Sequence, residues 1–216
     1  MTRFLITGGS GFVALHAAEQ ALARGHAVTL FDLSPPPAYA AALAPGARIG
    51  AGDVRERAAL AAAAEDATHV VHCAAVVGPV RAREAPETAF AVNVGGTFNL
   101  LELARASGAR IVNLSTATLY GNRPELGVLT EDSPPDPVSL YDATKLMGET
   151  LCATYRKTFG VAVASIRTGF VFGHGSRIGE YFLPRVRSTP VVMLYTGCGS
   201  RAASTARRIP LARSTT

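Results

Sequence analysis

Tryptophan is absent from these 216 residues, and cysteine occurs only three times, at Cys73, Cys152 and Cys198. The three lie far apart without a C-x-x-C pair, so neither a zinc site nor a disulfide framework is expected. Long apolar runs are missing as well. Charges, glycine or proline interrupt every hydrophobic stretch before the ~18 residues that a membrane span needs. The opening segment runs straight into a strand-like stretch, Phe4-Leu-Ile-Thr7, and shows none of the basic and apolar regions of a secretory leader. The expectation is a cytoplasmic protein with no membrane association.

Acids are missing from the end of the chain. Residues 181-216 hold six arginines and no Asp or Glu, whereas the first 180 residues hold 15 Lys+Arg against 16 Asp+Glu. The formal net charge of +5 therefore belongs to a tail, and the domain offers no basic surface that would suggest nucleic acid. What is plentiful is apolar side chain. At 48% of the residues, with a mean hydropathy of +0.22, it suffices for one packed core.

That apolar content is arranged in alternating elements. Strand-like runs occur at 4-7, 27-32, 48-52, 69-73, 111-115 and 161-166; helical spacing occurs at 12-24, 55-64, about 85-106 and about 138-159. Strands that alternate with helices imply an α/β fold with a doubly wound parallel sheet. Ser34-Pro-Pro-Pro37 and Ser133-Pro-Pro-Asp-Pro137 read as surface loops. The expected organisation is one domain over 1-185 and a basic, poorly ordered tail over 186-216.

Two local patterns carry chemistry. After the first strand, Gly8-Gly9-Ser10-Gly11-Phe12-Val13-Ala14 has glycines where a tight turn must bring backbone N–H groups against a pyrophosphate at a helix N-terminus. Asp32 ends the second strand, where a carboxylate can accept hydrogen bonds from ribose hydroxyls and repel a 2′-phosphate, which favours NAD over NADP. The other reading of Asp32 is a turn or helix-cap carboxylate. Further along, Tyr141-Asp-Ala-Thr-Lys145 is Y-x-x-x-K, which on a helix puts both side chains on one face. A lysine ammonium and an oxidised nicotinamide ring would stabilise the phenolate of a tyrosine base.

Six motifs in order give a family resemblance: Thr7 to Ala14, Gly52-Asp53-Val54, His72-Cys-Ala-Ala75, Asn93-Val-Gly-Gly-Thr97, Ser115-Thr-Ala-Thr-Leu-Tyr-Gly121 and Tyr141 to Lys145. Over about residues 3 to 185 the chain resembles the extended short-chain dehydrogenase/reductase family, which includes the NAD-dependent sugar epimerases and dehydratases and has a Rossmann sheet. The resemblance implies a catalytic group of Thr116, Tyr141 and Lys145, with Thr116 on the substrate oxygen, Tyr141 as acid/base and Lys145 as its activator and a ribose contact. It also implies pyrophosphate contacts at Gly8, Gly11, Phe12 and Val13, a ribose contact at Asp32, adenine contacts at Asp53 and Val54, and a wall beside the cofactor at Ala74 and Ala75. Asn93 would brace the catalytic helix, or serve simply as a cap or turn asparagine. His16 and His72 also match family positions and are read as packing residues.

The implied partners are NAD, a small-molecule substrate such as a sugar nucleotide, and a second copy paired through the helices at about 85-106 and 138-159. Hydroxysteroid- and dihydroflavonol-type dehydrogenases of the same family, and a non-catalytic dinucleotide-binding protein, are the alternatives. Two departures stand out. Phe170 occupies a slot where many sugar-nucleotide enzymes carry asparagine, and the family pattern fades after Ile178-Gly-Glu-Tyr-Phe-Leu-Pro-Arg185, as in a truncated or frame-disrupted member.

Overall fold

The computed structural model describes residues 1–38, 40–122, 129–172 and 191–197. In chain order the elements are β1 (Arg3–Thr7), α1 (Phe12–Ala23), β2 (Ala27–Asp32), α2 (Ala40–Leu43), β3 (Arg48–Ala51), α3 (Arg57–Ala63) and β4 (His69–His72). Then come α4 (Pro79–Glu84), α5 (Pro86–Phe90), a π-helical turn (Ala91–Gly95), α6 (Gly96–Ser107), β5 (Arg110–Thr116), a 3-10 turn (Ala117–Tyr120), α7 (Leu140–Phe159), β6 (Val163–Phe172) and β7 (Val191–Gly197). The seven strands form one sheet in the order β3-β2-β1-β4-β5-β6-β7. The first six are parallel and β7 pairs antiparallel with β6. This is the doubly wound Rossmann arrangement.

Alternation along β1 sends neighbouring side chains to opposite faces, and both faces are dry. Ile6 joins Leu15, Ala18, Val28 and Leu30 under α1, while Leu5 joins Val70, Leu100, Leu101 and Ile111 under α6 and α7. Leu5 and Ile6 are wholly buried, each worth roughly 1.5–3 kcal/mol. No helix among the described residues is long and apolar enough to cross a membrane.

Most element positions match the sequence reading, with three differences. The helix expected over about 85-106 runs unbroken from Pro86 to Ser107 but takes π geometry around Asn93, and a short helix, α4, precedes it from Pro79. The last parallel strand runs to Phe172, well past the expected 166. Residues 191–197, placed by sequence in the tail, form β7, an apolar run able to add an edge strand. The side chain of Phe170, the run 178-185 and the tail from about 199 lie outside the described residues.

Candidate active site

Parallel strands deliver their C-terminal ends to one edge of the sheet, and the sequence-predicted residues follow those ends directly. Gly8 and Gly11 follow β1, Asp32 closes β2, Asp53 and Val54 follow β3, Ala74 and Ala75 follow β4, and Thr116 closes β5. The glycine turn lies where the chain order reverses, between β1 and β4.

Gly8 has φ +69, and a Cβ there would stand 2.7 Å from the backbone nitrogen of Ala74. Only glycine permits both the backbone conformation and the close approach of the β1 turn to the β4 loop. The Gly11 N–H closes the turn on the Gly8 carbonyl at 2.9 Å. Gly11 then starts α1 without a side-chain cap, which leaves the first N–H groups at Phe12 and Val13 free of any side-chain acceptor. Phe12 turns its ring edge-on to His16, with centroids 4.6 Å apart.

Asp32 accepts from the backbone N–H of Ser10 at 2.9 Å and of Ser34 at 3.0 Å, tying the glycine turn to the end of β2. It is thus a turn carboxylate placed beside the glycine loop. Asp53 is gripped by Arg55, with N–O contacts of 2.6 and 2.9 Å, and the Arg55 side chain holds its carboxyl below the usual range. Val54 is buried against Gly96, where a Cβ would meet Val54 Cγ2 at 2.7 Å.

The helix that carries Tyr141 and Lys145 is anchored at its start. Ser139 and Asp142 form a reciprocal capping box, and Gly160 in the left-handed region ends the helix. The buried Asp142 carboxylate accepts from the Ser139 hydroxyl at 2.7 Å and from the Thr118 hydroxyl. Because Thr118 donates to Asp142, it accepts from Thr116, 2.8 Å away. The 3-10 turn and the helix start are therefore fastened through Thr116, Thr118 and Asp142. The Thr116 hydroxyl lies close enough to the Tyr141 phenol to act on its ionisation.

Burial pushes the Tyr141 phenol up to about 12, Asp142 adds to the rise, and the nearby Thr116 hydroxyl opposes it. The Lys145 ammonium is not among the groups that move it. Lys145 is buried on the inner side of α7, where its field is felt by His72, Cys73 and Cys152. Burial lowers its pKa to about 8. It makes no hydrogen bond or ion pair among the described residues.

Asn93 lies buried inside the π turn. Its side chain accepts from Val76 N–H at 2.8 Å and donates to the Val76 carbonyl at 3.2 Å and to Thr144 Oγ1 at 2.9 Å. Thr144 in turn donates to the Tyr141 carbonyl at 2.8 Å. Asn93 thus joins the β4 loop to the helix of Tyr141. Beneath it runs a buried chain that sequence reading did not assemble. Thr97 spends its hydroxyl proton on the Asn93 carbonyl at 2.7 Å, so it accepts from His72 Nε2 at 3.2 Å, and His72 Nδ1 accepts from Thr7 at 2.7 Å. That pattern is satisfied only by a neutral imidazole, and burial, then Lys145, push the His72 pKa down to about 3.

Other contributors missed in the sequence are Thr118, Asp142 and Thr144. The Ser139-x-x-Asp142 spacing carries a readable capping signal; the partners of Thr118 and Thr144 do not follow from any local pattern. Among the described residues no group of three His, Cys, Asp or Glu side chains could hold a metal ion.

Fold and site together define a Rossmann-type α/β protein in which a glycine turn faces a Thr-Tyr-Lys group across the C-terminal edge of the sheet. Residues 4–201 match the NAD dependent epimerase/dehydratase family, and the chain belongs to that family. It is 32% identical over 188 residues to a probable UDP-glucuronate 4-epimerase of Rhizobium meliloti, covering 81% of this chain and 55% of that one. It is 33% identical over 192 residues to a UDP-glucose 4-epimerase of Corynebacterium glutamicum, covering 88% and 58%.

Among solved structures it resembles the Thermus thermophilus UDP-glucose 4-epimerase in complex with NAD, with TM-score 0.70, 34% identity, and 76% and 54% of the two chains covered. It also resembles DesIV, a dTDP-glucose 4,6-dehydratase from Streptomyces venezuelae with NAD and TYD bound, with TM-score 0.74, 29% identity, and 85% and 60% covered. The chain spans little more than half the length of these relatives.

Proposed function

We propose that this chain binds NAD along the C-terminal edge of its sheet and supports reversible oxidation of a hydroxyl on a nucleotide-sugar, as in an epimerase or dehydratase. The observation that carries this reading is the glycine turn packed on Ala74 at the same sheet edge where Thr116 closes β5 and α7 brings in Tyr141 and the buried Lys145. The residues fit the dinucleotide. The Gly8 cradle and the uncapped start of α1 suit a pyrophosphate, and Asp32 beside them suits ribose hydroxyls and disfavours the 2′-phosphate of NADP. Asp53 and Val54 would flank the adenine, and Ala74 and Ala75 would line the path between the dinucleotide's two ends.

When bound, NAD supplies the hydride acceptor and a positive ring charge. Thr116 would orient the substrate hydroxyl, and Tyr141 Oη would take and return its proton. In the chain alone the phenol is a weak acid held protonated by burial, so Tyr141 acts as a base only where positive charge faces it. Lys145, with no protein partner to satisfy, would donate to the nicotinamide ribose and so help hold the charged ring beside Tyr141. Asn93 keeps the helix and the β4 loop in fixed relation through Thr144 and Val76.

A second copy would pair through the outer faces of the helices around 85-106 and 138-159, where Phe90, Met147 and Phe159 are exposed. Sedimentation of the chain, with Met147→Glu as the disrupting variant, tests that pairing.

The test of function is calorimetric titration with NAD and NADP, followed by incubation with UDP-glucuronate, UDP-glucose and dTDP-glucose. Saturable NAD binding abolished by Gly11→Val is expected, with sugar conversion that Tyr141→Phe removes. A folded chain that binds no NAD overturns the reading. Net NADH formation from a steroid or flavonoid alcohol, with no change in the sugars, would favour the dehydrogenase alternative.

A further inference from the structure

Strand register places four polar residues in one row across the interior face of the sheet. Thr7 on β1 is level with His72 on β4, His72 with Asn113 on β5, and Asn113 with Ser165 on β6. In parallel strands such partners point to the same face, here the face covered by α6 and α7. The two ends of the row are satisfied. Thr7 bonds His72, which passes on to Thr97, while Asn113 Nδ2 donates to Ser165 Oγ at 3.2 Å.

The middle is not satisfied. Asn113 Oδ1 and, two residues further along the same face, Ser115 Oγ are buried and have no hydrogen-bond partner. Among the described residues they are the only two side-chain atoms wholly shut off from solvent without a partner. Leaving a buried polar atom unmade costs about 1–3 kcal/mol, and two on one strand below the same helix ask for a shared partner. The covering helix offers the complementary group: Lys145 stands two turns before Cys152 and has three N–H donors, none used on the protein.

We propose that Asn113 Oδ1 and Ser115 Oγ form a buried hydration site beneath Lys145, holding an ordered water that donates to both oxygens and accepts from the lysine ammonium. Such a water makes three hydrogen bonds, the usual number for a structural internal water. It anchors the lysine from below and leaves its remaining donors facing the C-terminal edge of the sheet. The site concerns the resting chain, so it stands or falls independently of NAD binding.

Two measurements on the full chain test it. A high-resolution crystal structure is expected to show a water within hydrogen-bond distance of Asn113 Oδ1, Ser115 Oγ and Lys145 Nζ. No water there, or an Asn113 amide turned so that Nδ2 faces the gap, overturns the proposal. The second exploits the fact that the chain has only two lysines, Lys145 and Lys157. In protein labelled with 13C-lysine, Lys157→Arg leaves a single signal whose titration is that of Lys145. Asn113→Leu with Ser115→Ala, which removes the polar atoms and keeps the bulk, is expected to move the Lys145 midpoint downward, because the ammonium loses its acceptor. A midpoint unchanged in the folded double variant would sever the site from the lysine and overturn the proposal.

Discussion

The Arg167 guanidinium grips both carboxylate oxygens of Glu149, at 2.7 to 3.1 Å, and turns its remaining nitrogen to the Tyr120 hydroxyl at 2.6 Å. Arg167 lies on β6 level with Ser115, Glu149 lies one turn after Lys145 on α7, and Tyr120 closes the turn that starts at Thr116. The ion pair is almost wholly buried, with side-chain exposures of 12% and 11%. It locks the strand, turn and helix that carry the Thr-Tyr-Lys group.

Breaking this pair from one side strands a buried charge. Glu149→Gln is expected to cost about 3–5 kcal/mol in urea denaturation. Replacing both partners, Arg167→Met with Glu149→Met, should recover most of that loss. If the double variant is as unstable as the single one, the uncompensated charge is not the cause.

Lys145 weakens the fold at neutral pH. Its pKa is lowered from 10.5 to about 8, so between those values the unfolded chain holds the extra proton and stability rises with pH. Lys145→Met should therefore stabilise the chain by on the order of 3 kcal/mol at pH 7, with the gain shrinking from pH 8 to 10.5. The difference between the two proteins isolates the lysine, because Cys73 and Cys152, both raised by burial, act in the opposite direction above pH 9 in each. A gain that does not change with pH would mean that the lysine is not desolvated.

His72 predicts an acid weakness. A neutral imidazole whose pKa falls from 6.5 to about 3 on folding contributes stability above pH 6.5 that is lost as pH drops toward 3. His72→Gln should lower stability at pH 7, because the bonds from Thr7 and to Thr97 change, and should flatten the slope below pH 6.5 by close to one proton. An unchanged slope would show that another group drives acid unfolding.

Gly8 and Gly25 share a left-handed backbone, with φ +69 and +73, but a Cβ on Gly25 would meet nothing within 4 Å. Gly25→Ala should therefore cost only backbone strain, about 1–2 kcal/mol. Gly8→Ala adds the clash with Ala74 and should lower the melting temperature further while weakening NAD binding. Equal losses in both variants would deny the close packing of the glycine turn on the β4 loop.

What the amino-acid order determined by itself was whatever depends on near neighbours. The glycine turn was legible because a tight turn at Gly8 needs glycine whatever surrounds it. The strand and helix segments were legible because side-chain periods of two and 3.6 residues reflect which face is buried. Thr116, Tyr141 and Lys145 could be picked out from their local motifs.

Tertiary structure decided what depends on register and helix docking. Thr7, His72, Asn113 and Ser165 are scattered over some 160 positions and become one row only when four strands align. Glu149 and Arg167 share no helical spacing and meet only because α7 packs on β6. The π turn inside the expected helix at Asn93 goes with bonds to Val76 and Thr144, which no local pattern contains. The lysine's low pKa likewise arises from burial, a property of the packed molecule and not of Y-x-x-x-K.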